Sequence, residues 1–259
     1  MSDKGASPTG DKVTVSYQGT TSEFDVLRGS DGNPAIDLSS LTKQTGLTAL
    51  DYGFVNTAST KSKITFIDGD AGILRYRGYP IEQVATQMSF LETAWLLIYG
   101  EIPSPSELAD FENQIRRHSL LQEDLKNFFN GFPRNAHPMP VLSAGVSTLS
   151  TYYEDSLDPN NPEHVEIATY RLLAKVPVMA AYAHKKSIGQ AFLYPQNDLG
   201  YVENFLRLTF GNRAEEYELN PVVVKALERL LILHEDHEQN ASTSTVRLVG
   251  STDANLFAS

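Results

Sequence analysis

The segment Leu230-Leu-Ile-Leu-His-Glu-Asp-His-Glu-Gln-Asn-Ala-Ser242 closes an apolar run with a cluster of titratable groups. Val223, Leu227, Leu230, His234 and His237 follow one another at offsets of 4, 3, 4 and 3, the spacing of a single helical face. The pattern predicts a helix opened by Asn220-Pro221 and continuing through "HEDHE", with both imidazoles extending the stripe that packs inward. Glu228 and Arg229 fall on the opposite, charged side. A buried imidazole needs partners for its ring nitrogens, because each unsatisfied polar group costs about 1–3 kcal/mol. Asp236, Glu238, Gln239 and Asn240 are local candidates to orient the rings. Three readings stay open: two satisfied core histidines, a metal site, or a substrate site in which histidine donates to an anionic oxygen. Metal is the weakest of them. His-x-x-His offers two nitrogens only, and the H-E-x-x-H motif needs its histidines four apart.

Bulk properties narrow the classes. With 259 residues, 41% hydrophobic and 10% aromatic, the chain can fill one large core or two smaller ones. A formal charge of −11 with no offsetting Lys/Arg block argues against nucleic acid and against anionic membranes. The absence of cysteine excludes disulfides and thiolate ligands and fits a cytoplasmic setting. The opening "MSDKGASPTGDK" is no secretory signal, and no apolar run approaches the roughly 20 residues that span a bilayer.

The organisation reads as mainly α after a small β-rich N-terminal section. Residues 1–12 have the Gly/Ser/Pro/Asp composition of a loose tail, and residues 13–78 carry strand signals. "KVTVSYQG" alternates, "SEFDVLRG" follows a turn, and residues 62–78 form two β-rich arms about Asp68-Gly-Asp-Ala-Gly72. From residue 79 to 259 the periodicity is helical. Ser89…Glu92 and Ser104-Pro105…Glu107 are capping boxes, and Gly100 supplies a stop. Further helices are expected at about 139–153, 163–187 and 199–210, the second kinked or split at Pro177. His118, after Arg116-Arg117, fits a solvated face or an anion site. His137 fits a structural loop-to-helix junction, and His164 and His184 fit helix surfaces. There is no G-x-G-x-x-G, phosphate-binding loop or G-x-S-x-G.

Four separate stretches carry more than pattern: "KITFIDGDAGILRYRGYPIEQVA", "RLLAKVPVMAAYAHKKSIGQ", "YPQNDLGYVENFL" and "LILHEDHEQNASTSTVRLVGS". Together they strongly resemble citrate synthase, the bacterial hexamer-related branch in particular, from about Val13 onward. The resemblance implies a large helical domain and an acyl-transferring enzyme of the tricarboxylic acid cycle. Such an enzyme condenses oxaloacetate with acetyl-CoA, a co-substrate and not a bound cofactor, to give citrate and CoA. His237 matches a family ligand of oxaloacetate, with His234 and Asn240 as weaker neighbours. Homodimers or higher homo-oligomers are implied as well. The near rival is 2-methylcitrate synthase, which uses propionyl-CoA; a non-catalytic helical interaction module is the rival of another class.

Two further expectations follow from the resemblance. The chain stops at Ser259, before the family's enol-stabilising histidine, carbonyl-polarising histidine, catalytic aspartate and small domain, so it reads as truncated and inactive by itself. Some bacterial relatives bind NADH, and the matching residues are Arg117, His118, Tyr153, Arg171, Lys175 and Asn197. Those relatives' reactive cysteine corresponds to Ala214, and basic residues on helices are ordinarily solvated.

Overall fold

The computed structural model describes residues 7–29 and 33–259. It divides into two compact units, one up to Gly78 and one from Tyr79.

In the first unit, β1 (Ser7–Tyr17), β2 (Thr20–Arg28) and β3 (Ala35–Ile36) form an antiparallel sheet in sequence order. Residues 7–12, expected as loose tail, are the first part of β1; residues 1–6 lie outside the described residues. The tail-like composition misleads because Pro8 and Gly10 are absorbed by an irregularity, the register shifting between Pro8 and Lys12 and settling from Lys12↔Asp25 onward. A short helix α1 (Leu41–Thr45) follows. The second hairpin pairs β4 (Thr65–Asp68) with β5 (Ile73–Tyr76), Asp68 opposite Ile73, across the expected turn. Gly72 takes φ +67° there, a value that strains other residues.

The second unit is helical: α2 (Ile81–Gln87), α3 (Phe90–Tyr99), α4 (Pro105–Arg117), α5 (Leu125–Asn130), α6 (Pro138–Thr148), α7 (Pro162–Ile188), α8 (Tyr201–Phe210), α9 (Pro221–Leu233) and α10 (Ala241–Gly250). Both predicted capping boxes form. Ser89 Oγ accepts from Glu92 N at 3.2 Å while Glu92 Oε2 accepts from Ser89 N at 2.6 Å, and Ser104 with Glu107 repeats the exchange. His137 starts α6, its Nδ1 accepting from Met139 N.

At 27 residues, α7 is the axis of this unit, with α4, α5, α6 and α8 packed around it. One side buries Val178, Met179 and Tyr182 with Leu125, Phe129, Leu149, Leu208 and Phe257; the other meets Leu91, Ala94, Phe111 and Ile115 through Ala174. Pro177 lies inside α7, and the helix runs through it unbroken. A proline lacks the N–H that would reach the carbonyl four residues back, here Leu173. Tyr201, first residue of α8, donates its hydroxyl to that oxygen at 2.9 Å and satisfies it. Among the described residues no helix is long and apolar enough to cross a membrane.

Candidate functional site

The helix expected to run through "HEDHE" ends at Leu233. His234 is its C-cap, and the N–H of Glu235 turns back to Ile232 O at 3.3 Å. Helical spacing therefore cannot be carried to residue 237, and the proposed inward face is mostly outward, Leu227 alone of its five residues being half-buried. Val223 is 47% exposed and Leu230 53%, and both His234 and His237 are exposed. The inward stripe is instead Val224, Glu228, Leu231, Ile232 and Glu235, set against α2, α3 and α8. Glu228, read as outward, accepts from the first N–H of α3 at Phe90, 3.4 Å away, where the positive end of a helix favours a carboxylate. Apolar residues surround α9 on nearly every side, so periodicity alone could not choose between its faces.

The connection between α9 and α10 is fixed by its own polar groups. Asp236 Oδ2 accepts from Glu238 N at 3.0 Å, Gln239 Oε1 accepts from Arg247 at 2.9 Å, and Asn240 caps α10 by accepting from Thr243 N at 2.8 Å. These contacts stabilise the turn; none of them orients an imidazole. His234 Nδ1 lies 2.7 Å from Leu230 O, which sets its ring, while His237 forms no hydrogen bond among the described residues. Glu238, immediately after it, takes φ +53°, a left-handed conformation that costs a non-glycine residue on the order of 1 kcal/mol. Such strain concentrates where a side chain is being aimed.

Glu235 is the member of this segment that sequence reasoning missed. Its side chain turns inward near Tyr201, and Oε2 is buried without a partner among the described residues. Burial, reinforced by neighbouring Asp236, pushes its carboxyl up to about 9. The signal was present: Glu235 stands four residues after Leu231 and three after Ile232, at the end of the true inward stripe.

A second cluster gathers four of the six residues matched to an effector site. Arg171 and Lys175 lie one turn apart on α7, buried, a like-charge spacing that is unfavourable by itself. Arg171 is held by both oxygens of Asp155, at 2.6 and 2.9 Å, and by Ser156 Oγ at 2.7 Å. Lys175 donates to the carbonyls of His118 and Leu120 at 2.6 and 2.5 Å. Tyr153 presents its ring to both cations, at 4.3 and 5.1 Å. Burial, then Arg171, lowers Lys175 to about 8, and the same causes with Lys175 added depress His118. Arg117 and Asn197 are exposed and take no part in these bonds. The arrangement ties the end of α4 and the 153–156 turn to α7, and an anion entering it would have to displace Asp155 from Arg171.

Comparison with known proteins gives a consistent result. Residues 53–259 match the family model described as citrate synthase, C-terminal domain. The chain is 59% identical over 251 residues to citrate synthase 1 of Mycobacterium tuberculosis and 53% identical over 248 residues to citrate synthase of Corynebacterium glutamicum. These alignments cover 97% and 96% of this chain but 58% and 57% of the relatives. The crystal structure of citrate synthase from Pyrobaculum aerophilum superposes with a TM-score of 0.73 at 30% identity, over 96% of this chain and 57% of that one.

Proposed function

Because the chain belongs to the citrate synthase family, we propose that it forms the helical portion of an enzyme condensing oxaloacetate with acetyl-CoA and water to citrate and CoA, His237 being a ligand of oxaloacetate. The observation that carries this reading is the state of His237. It is an exposed imidazole with no hydrogen bond among the described residues, on a connection where Asp236, Gln239 and Asn240 fix the turn, followed by a strained Glu238. A side chain held open in this manner is free to donate to an incoming carboxylate or carbonyl oxygen. Oxaloacetate is a dianion and the chain carries −11, so its capture requires donors that act locally against the global field.

Condensation further needs a carboxylate to remove a methyl proton and a donor to hold the enolate oxygen, together in a dry cleft. His237 supplies neither. We therefore propose that these 259 residues do not turn over by themselves. The test is twofold: release of CoA from acetyl-CoA or propionyl-CoA with oxaloacetate, and calorimetric titration of oxaloacetate into the chain and its His237→Ala variant. No CoA release, with oxaloacetate binding weakened about tenfold or more by the substitution, is the expected result. Release at a normal enzymic rate, or binding indifferent to residue 237, overturns it.

For the Arg171–Lys175 cluster we propose a structural role, supported by the bidentate hold of Asp155 on Arg171 and the two backbone carbonyls on Lys175, although Arg171 Nε is buried without a partner among the described residues. NADH titration followed by fluorescence is expected to show no saturable change; a saturable change lost in Arg171→Gln would restore the effector reading.

A further inference from the structure

A cavity of about 310 Å³ opens at the C-terminal end of α7, among Lys126, Arg134 and Lys186, with Gly189 and Gln190 in its wall. Three of its lining side chains are cations and none is a carboxylate, although acidic residues outnumber basic ones by 32 to 21 in this chain. It shares no residue with the His237 segment or with the Arg171–Lys175 cluster.

The cations are not there to finish the helix. The backbone does that, Gly189 N donating to Lys186 O at 3.2 Å and Gln190 N to Lys185 O at 2.9 Å, while the buried Lys185 ammonium is consumed by Gln190 Oε1 and Gly211 O. Lys186 gives one long bond, 3.3 Å, to Asn130 O and keeps donors in hand. Lys126 is engaged with Glu123 and Tyr194, both outside the lining. Arg134 is placed by its neighbour. Its Cζ and both terminal nitrogens each lie 2.9 Å from where a Cβ on Gly189 would stand. The guanidinium thus lies flat against the backbone of residue 189, which is left-handed at φ +70° and has no side chain to push it off. With one face covered, the planar fork has its in-plane N–H groups left for an acceptor, the geometry suited to an anion with two or more oxygens.

We propose that this cavity binds a phosphoryl group, as inorganic phosphate or a phosphomonoester, with the Arg134 fork on two oxygens and the ammonium groups of Lys186 and Lys126 around the others. Its test is phosphorus NMR line broadening on titrating the 259-residue chain into inorganic phosphate, and separately glycerol phosphate, at constant ionic strength. Saturable broadening by either is expected, the stronger of the two naming the source. Arg134→Gln and Lys186→Gln, at sites away from the core, should each weaken it about tenfold, whereas Arg229→Gln on exposed α9 should leave it unchanged. No saturation with either ligand, an equal loss in Arg229→Gln, or equal competition by succinate would each overturn the proposal.

Discussion

Replacing Glu235 by Gln tests the reading of the α9–α10 connection most directly. The carboxyl sits inward near Tyr201, one oxygen unpartnered, with burial and Asp236 raising it from 4.5 to about 9. Between those values the folded chain holds a proton that the unfolded chain releases. Stability therefore falls as pH rises from about 4.5 to about 9 and levels off above. At about 1.4 kcal/mol per pH unit, the cost accumulated by pH 7 is about 3 kcal/mol. That is a large fraction of a usual folding free energy of roughly 5–15 kcal/mol. Glutamine keeps the shape and stays neutral throughout, so Glu235→Gln should match the parent near pH 4.5 and exceed it by about 3 kcal/mol at pH 7. Urea unfolding followed by far-UV circular dichroism at pH 4.5, 6, 7 and 8 measures this. Parallel pH profiles for the two proteins, or a variant weaker than the parent at pH 8, would refute the burial argument.

Other expectations address separate parts of the molecule. Tyr201→Phe leaves the Leu173 carbonyl unsatisfied and should cost about 1–3 kcal/mol in the same assay; Pro177→Ala restores an N–H to that carbonyl, so the double variant should lose less than the sum of the two single ones. Asn240→Ala removes the α10 cap and should cost about 1 kcal/mol in urea unfolding, a loss that Asn240→Ser recovers in most part. The outward apolar side of α9 should drive association of the chain at high concentration, and Leu230→Glu should lower the mass seen by light scattering; equal masses would count against it.

Elements defined by local chemistry were legible in the sequence. The capping boxes at Ser89 and Ser104 and the hairpin about Asp68–Gly72 form where expected, because each is decided by a few neighbouring residues. Matters decided by tertiary contact were not legible. Residues 7–12 look like a tail until β2 provides a strand to pair with. The side of α9 that packs is chosen by α2, α3 and α8, a choice that leaves His234 outward and Glu235 inward, while His237 lies beyond the helix end. The convergence of His118 and Tyr153 on Arg171 and Lys175 was foreshadowed only by resemblance; the partners that neutralise it, Asp155 and two backbone carbonyls, could not be read from composition or spacing.

Pro177 has a consequence for how the chain assembles. By surrendering one bond inside α7 and letting Tyr201 supply its replacement, the molecule makes the middle of its longest helix depend on a residue 28 positions removed from Leu173. One carbonyl in the middle of α7 is then unsatisfied until α8 docks, and the two should gain protection from solvent exchange as one cooperative event. A hairpin of helices joined in this way behaves as a single structural unit, although its two members are separated along the chain by a dozen residues of irregular backbone.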